Sequence, residues 1–289
     1  MGLLEAFDTM QRRALLARGV TSHTAQVRGT TVHFYLADLG AKGPPLVLLH
    51  GLGASAHNFI LCTVPFARSF GRVYVIDLPG CGFSPLPASG ALTLEGHFEV
   101  LRRFLSEVVR EPSVLLGNSL GGALTLLLAL RHPELLLAAV PVAPAGAPSS
   151  PEALHEVLEA FRLETDEQVR AFVRRLFVRP AWPMLRFPSF TRAMVDTPAV
   201  RKLLQTLRTD ALLKDGELST LRVPLRLIWG GNERLLPNDA PDFFRAQLPP
   251  AFGSVALVPH FNHLPQLEFP RDLVAHVVEF ARQRQLLHT

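Results

Sequence analysis

Cysteine is scarce in this sequence. Only two, Cys62 and Cys81, occur among 289 residues. Two cysteines cannot build a disulfide framework, and neither stands in a spacing that binds a metal ion. We therefore expect a reducing, cytoplasmic setting, no metal site and no cofactor.

Long apolar runs are also missing. The runs at 120–130 and 135–148 are the best candidates, but both fall short of the roughly 18 residues that suggest a spanning helix. At residues 1–20, charges at Glu5, Asp8 and Arg12 interrupt the apolar centre that a secretory signal requires. This segment predicts an amphipathic helix packed on the domain. The alternative is a helix lying on a membrane surface.

Charge is modest, at 19% of residues with a net of +4, and the sequence has no P-loop, zinc-finger or RNA-recognition signature. Nucleic acid is therefore not an expected partner. The hydrophobic fraction of 48% allows a large core. The length suits one α/β domain that carries an inserted subdomain.

Short β-rich runs alternate with helical patterns along most of the chain, which predicts an α/β fold with a mostly parallel sheet and helices on both faces. The predicted strands are 31–37, 45–49, 73–77, 113–117, 137–142, 225–229 and 254–259. The predicted helices include 94–109, 121–130 and 272–287.

The alternation breaks over residues 145–218, which predict helices interrupted by prolines and no clear strand. A stretch this long is not a plain loop. We therefore predict a core formed by residues 1–144 and 219–289, with a helical insertion at 145–218.

A glycine-flanked serine follows one predicted strand and precedes a helix, in the order Gly117-Asn118-Ser119-Leu120-Gly121. Such a turn lifts the hydroxyl off the strand end, because the glycines remove side chains that would collide beside it. The helix start favours developing negative charge. An ordinary turn in which Ser119 caps the helix is the alternative.

Four further segments occur in order around this turn. They are His50-Gly51-Leu52-Gly53, Asp77-Leu78-Pro79-Gly80-Cys81-Gly82-Phe83-Ser84, Trp229-Gly230-Gly231-Asn232-Glu233-Arg234-Leu235-Leu236-Pro237 and Asn262-His263-Leu264-Pro265-Gln266-Leu267-Glu268. Together with the serine turn they resemble the α/β-hydrolase superfamily over about residues 30–285, including the chain order serine, acid, histidine.

The resemblance implies a serine nucleophile, Ser119, whose proton passes to a histidine base. His263, placed after the last strand and followed by Pro265 and Glu268, is favoured over His260. Glu233 is the implied acid where the family more often has Asp; Asp239 and Asp242 are the alternatives. The main-chain N–H groups of Leu52 and Leu120 are the implied oxyanion hole. We expect Asp77 to fix its own turn and Glu268 to anchor the last helix.

Residues 145–218 occupy the position of the family's substrate-selecting cap. The stretch 172–188 is similar to the caps of bacterial lipases and monoacylglycerol-lipase-like hydrolases, and its aromatic residues suggest an apolar pocket. Gly51, Asn118, Phe177 and Trp182 are the candidate substrate-binding residues. Residues 168–208 hold nine Lys or Arg against one Asp. A solvated face is the favoured interpretation, and contact with anionic lipid is the alternative.

The expected activity is hydrolysis of carboxylic esters with medium or larger apolar acyl groups, through an acyl-enzyme. The partner is then a small apolar ester. Hydrolysis of carbon–carbon bonds in ring-cleavage products is a second hypothesis, although those enzymes commonly have a Trp shortly after the histidine. A non-catalytic receptor for a small ligand on the same fold is a third.

Overall fold

A single eight-stranded sheet organises the chain in the computed structural model, which describes residues 3–87, 92–208 and 212–287. The strands lie in the order β1-β2-β4-β3-β5-β6-β7-β8; β1 and β2 are antiparallel to their neighbours and the other pairs are parallel. They span Val20–Val27 (β1), Thr30–Ala37 (β2), Leu46–Leu49 (β3), Val73–Ile76 (β4), Ser113–Asn118 (β5), Leu136–Val142 (β6), Leu225–Gly230 (β7) and Gly253–Val258 (β8).

The central strands are apolar and buried. Every residue of β3, β4 and β5 is buried, as expected for parallel strands covered on both faces. All seven predicted strands are confirmed within one or two residues. The sequence prediction missed β1, whose burial is confined to its two ends, Val20 and Val27, while its middle is Ser, Thr, His, Ala and Gln.

Helices cover both faces of this sheet and form the segment between β6 and β7. They span Leu3–Leu16 (α1), Thr63–Ala67 (α2), Leu94–Phe104 (α3), Leu120–Arg131 (α4), Pro151–Ala160 (α5), Asp166–Leu176 (α6), Trp182–Arg186 (α7), Pro188–Val195 (α8), Pro198–Thr206 (α9), Ala240–Gln247 (α10), Pro265–Glu268 (α11) and Pro270–Gln283 (α12). The predicted helix at 94–109 continues from α3 into a π-helical turn, Leu105–Val109.

Residues 145–218, called the cap segment below, contain α5 to α9. Apart from 209–211, which lie outside the described residues, the segment has no strand. Several of its prolines stand at helix starts, such as Pro151, Pro188 and Pro198, where a missing N–H costs nothing. A small apolar cluster formed by Leu163, Val169, Phe172 and Leu235 joins the cap segment to the core.

The first helix packs on the domain. Leu15 of α1 is buried, and the ring of Phe7 meets the ring of Phe190 on α8 edge-on, 5.3 Å between centroids. Among the described residues, no helix is long and apolar enough to span a bilayer. On the cap segment, Arg192 pairs with Asp166, and Arg201 pairs with Asp196, so acidic neighbours offset part of its basic charge.

Candidate active site

The serine turn lies between β5 and α4. Ser119 has φ 55° and ψ −113°, a sparsely populated conformation that costs roughly 1–3 kcal/mol. A Cβ on Gly121 would lie 2.5 Å from the carbonyl oxygen of Leu49, so that only glycine fits there. Because the sheet and helix press together around it, the strained turn is held in place.

His263, in the loop after β8, and Glu233, in the loop after β7, form a buried pair. Nδ1 of His263 lies 2.9 Å from Oε2 of Glu233, and both side chains are at most 3% exposed. The other oxygen, Oε1, accepts the N–H groups of Leu235 at 2.7 Å and Leu236 at 3.1 Å. Burial alone would raise the pKa of this carboxyl. The His263 ring and the two N–H groups outweigh burial and hold the pKa of Glu233 below its ordinary value.

The rivals for these two roles lie elsewhere. His260 is half-exposed and binds Asp272 at 2.9 Å. Asp242 is exposed and pairs with Arg245, and Asp239 is exposed at the start of α10. None of the three contributes to the His263–Glu233 pair.

Asn118 joins the serine turn to the histidine loop. Its Nδ2 donates to the carbonyl oxygens of His263 at 2.9 Å and Val142 at 3.2 Å, and its Oδ1 accepts from Nε2 of Gln266 at 3.0 Å. Both ends of this fully buried amide are therefore occupied by the protein. The prediction that Asn118 contacts substrate needs correction, because its amide positions the loop that carries His263. Sequence reasoning missed Gln266, whose only signal was its place in the histidine motif.

The loop after β3, residues 50–54, is the candidate oxyanion loop, called the oxyanion loop below, and it approaches Ser119 closely. A Cβ on Gly51 would lie 3.1 Å from Cβ of Ser119, so glycine allows this approach. Leu120 is the first residue of α4, where an N–H has no acceptor within the helix. Leu52, Leu120 and Ser119 line one cavity.

The His50 side chain fixes the oxyanion loop through two hydrogen bonds. Its Nε2 accepts the N–H of Leu78 at 3.0 Å, so the proton is on Nδ1, which donates to the carbonyl oxygen of Gly51 at 2.8 Å. Burial lowers the pKa of His50, which favours this neutral form. His50 therefore shapes its own loop through these two bonds.

Asp77 and Glu268 are anchors. Asp77 accepts the N–H groups of Ala56 and Phe83 and contacts Nδ1 of His33 at 2.7 Å. Burial opposes its ionisation, but these bonds and the nearby His50 ring lower the pKa of Asp77 overall. Its turn is thus fixed as expected.

Glu268 differs from expectation. Its carboxylate accepts the N–H groups of Val178 at 2.9 Å and Arg179 at 2.8 Å. These bonds connect the histidine loop to the cap segment. The expectation that Glu268 anchors the last helix is therefore corrected.

The cavity at Ser119, called the serine cavity below, has a volume of about 110 Å³ and mostly apolar walls. Its walls come from the oxyanion loop, α4, the cap segment and the Glu233 loop; they include Leu52, Ser119, Leu120, Ala123, Leu154, Val157, Phe161, Leu204, Trp229, Leu235 and Leu236. It is smaller than the roughly 150 Å³ cavity that holds benzene in an engineered protein. The medium or larger apolar acyl group expected from the sequence stays a prediction.

A second, larger cavity of about 730 Å³, called the outer cavity below, lies between α1, the oxyanion loop and the cap segment. Phe177 lines this cavity, so the structure does not place it beside Ser119. Trp182 is 67% exposed, packs on Phe187 and lines neither cavity. The prediction that Trp182 binds substrate is therefore corrected, because its side chain lines neither cavity. In the described ranges, no group of three or more His, Cys, Asp or Glu could hold a metal ion.

Comparison with known proteins identifies the family of the chain. The model of the alpha/beta hydrolase fold family matches residues 44–270, and the chain belongs to that family. It is 28% identical to a pimeloyl-[acyl-carrier protein] methyl ester esterase of Nitrosospira multiformis, over 87% of this chain and 99% of that protein. The resemblance stated from the motifs is thus confirmed.

Two solved structures extend the comparison. A membrane phospholipase A described as a bacterial virulence factor superposes with a TM-score of 0.81 at 26% identity, covering 98% of this chain and 91% of that one. A lipase from Acinetobacter baumannii superposes with a TM-score of 0.80 at 20% identity, covering 96% of each chain. Within its family, the chain is therefore an esterase- and lipase-like α/β hydrolase.

Proposed function

We propose that this protein hydrolyses carboxylic esters through an acyl-enzyme, with Ser119 as nucleophile, His263 as base and Glu233 as the acid that orients it. The observation that carries the proposal is the buried 2.9 Å contact between His263 and Glu233, tied through Asn118 to the strained turn of Ser119. The likeness to an esterase over nearly the whole chain supports the same reaction class.

In the acylation step, Oγ of Ser119 attacks the ester carbonyl carbon and its proton moves to Nε2 of His263. The carbonyl oxygen becomes an oxyanion, which accepts the N–H groups of Leu52 and Leu120. When the intermediate collapses, the carbon–oxygen bond breaks and the leaving alcohol takes the proton from His263. The acyl group stays on Ser119.

Water completes the cycle. It attacks the acyl-enzyme, gives a proton to His263, and the second intermediate releases the acid and returns the proton to Ser119. Glu233 holds the Nδ1 proton of His263 throughout, so that Nε2 is free to accept. The apolar walls of the serine cavity favour an apolar acyl group of short length.

The test combines turnover with covalent labelling. We expect hydrolysis of p-nitrophenyl acetate and butanoate, and a fluorophosphonate probe should label the peptide that contains Ser119. Ser119→Ala should abolish both, whereas Ser106→Ala, at an exposed serine bonded to Arg103, should change neither. Equal labelling of Ser119→Ala, or preference for a ring-cleavage dienoate over esters, would contradict the proposal. Ligand binding without turnover or labelling would favour the receptor hypothesis.

A further inference from the structure

The oxyanion loop separates the two cavities. Leu52 lines the serine cavity, whereas the next residues, Gly53 and Ala54, line the outer cavity. The wall between the two cavities therefore consists of this loop and of the part of the cap segment that packs on it.

Helix α8 of the cap segment packs against this loop and contributes side chains to the outer cavity. Ala193 and Met194 line the outer cavity. Val195, the next residue, packs on the small cluster that includes Leu235 and is flanked by Phe161. Leu235 and Phe161 both line the serine cavity. Val195 itself lines neither cavity, so it packs between the outer cavity and the cluster that contributes Leu235 to the serine cavity.

The loop and the helix meet at one contact. A Cβ built on Gly53 would lie 2.9 Å from Cγ1 of Val195 and 3.5 Å from its Cα. Gly53 also has φ 71°, which favours glycine. Val195 therefore packs directly on the backbone of Gly53, at the point where Leu52 and Gly53 line different cavities.

We propose that Val195 is the specificity-determining residue that limits acyl length, because it closes the serine cavity from the outer cavity. This inference rests on the proposed function. The serine cavity accepts an acyl group of about four carbons, by comparison with the benzene-sized cavity. The outer cavity is more than six times larger, and its walls include the apolar side chains Phe7, Phe177, Met184 and Phe190. A longer acyl chain reaches it only when the contact at Gly53 opens.

The turnover experiment compares Val195→Ala with the matched variant Val169→Ala. Val169 is a buried valine of the same small cluster, but the atoms nearest a Cβ on Gly53 all belong to Val195, so truncation of Val169 reports general loosening of the cap segment. For p-nitrophenyl esters of two to twelve carbons, wild type should peak at about four. Val195→Ala should raise the octanoate-to-butanoate ratio of kcat/KM by at least about tenfold, since each buried methylene is worth about fourfold. Val169→Ala should leave the ratio unchanged.

A binding experiment keeps this inference separate from the proposed function. Trp229 lines the serine cavity, and Trp182 is the only other tryptophan in the sequence. In a Ser119→Ala, Trp182→Phe background, Trp229 fluorescence reports binding without turnover. Titration with butanoate and decanoate should show decanoate binding strengthened about tenfold by Val195→Ala and unchanged by Val169→Ala.

The turnover and binding experiments together distinguish failure of the proposed function from failure of the role proposed for Val195. If wild type hydrolyses no ester but Val195→Ala selectively strengthens decanoate binding, Val195 does separate the two cavities and the proposed function fails. This separation of the cavities by Val195 is called the partition below. If wild type already accepts octanoate as well as butanoate, or if both variants shift chain preference equally, the partition is overturned. Thermal unfolding of each variant verifies that the compared proteins are folded.

Discussion

Nδ2 of Asn118 donates a hydrogen bond to the carbonyl oxygen of His263, 2.9 Å away, although the two residues are 145 positions apart. The bond fastens the residue before the proposed nucleophile to the main chain of the proposed base. Because the same amide also holds Val142 and Gln266, three segments of the site share one buried side chain.

Asn118→Leu should therefore impair both stability and rate. The substitution keeps the side-chain size but leaves two buried carbonyl oxygens and the Gln266 amide without their partner. We expect a loss of about 2–4 kcal/mol in the free energy of unfolding and a kcat reduced by at least tenfold. Urea unfolding and steady-state kinetics measure the two effects. Wild-type kcat in a folded Asn118→Leu protein would show that the bond does not position His263.

Glu233→Gln should reduce kcat by about 10³–10⁴-fold, since an amide no longer favours the tautomer with the proton on Nδ1 of His263. Glu233→Asp should retain part of the activity, because it keeps a carboxylate on a side chain one methylene shorter. Asp239→Asn and Asp242→Asn, at exposed carboxylates apart from the pair, serve as controls with near wild-type kcat. A larger loss in either control would reassign the acid.

Glu268→Gln should loosen the cap segment. The N–H groups of Val178 and Arg179 bind different oxygens of the carboxylate, and Gln replaces one of these oxygens with an NH2 group that cannot accept. The amide also lacks the charge that strengthens both bonds. Hydrogen exchange should show these amides losing about tenfold in protection. Glu279→Gln on α12 is the control. If α12 lost protection in Glu268→Gln instead of the cap segment, the anchor would belong to the last helix.

Acid should destabilise the protein through two buried carboxylates. The pKa values of Asp77 and Glu233 are lowered in the folded protein, so the unfolded chain binds more protons. Their contribution is complete above the ordinary values of 3.8 and 4.5, and it is lost as pH falls through the lower folded values. Urea unfolding should give a free energy that falls modestly from pH 7 to about 5, because the buried rings of His50 and His97 take up protons less readily in the folded protein than in the unfolded chain, and that declines steeply below about 4. A free energy that rises on acidification would contradict this assignment.

The sheet was largely predictable because its central strands are buried on both faces and read as continuous apolar runs. Strand β1 was not, because the sequence between its buried ends is polar and exposed, and only pairing with β2 makes it a strand. Tertiary contacts of this kind override local preference.

The site was predictable where function constrains local geometry. The glycines around Ser119 and the order of the motifs pointed to the turn and to its partners. The roles of Asn118, Glu268 and Val195 were not predictable, because each depends on which distant backbone atom the side chain meets. Trp182 shows the converse, since an aromatic residue in the cap segment says nothing about whether it faces inward.

The contact between Phe7 and Phe190 means that the start of the chain braces the very helix that carries Val195. Helix α1 precedes residues 44–270, the part matched by the family model, yet its Phe7, Asp8 and Gln11 line the outer cavity.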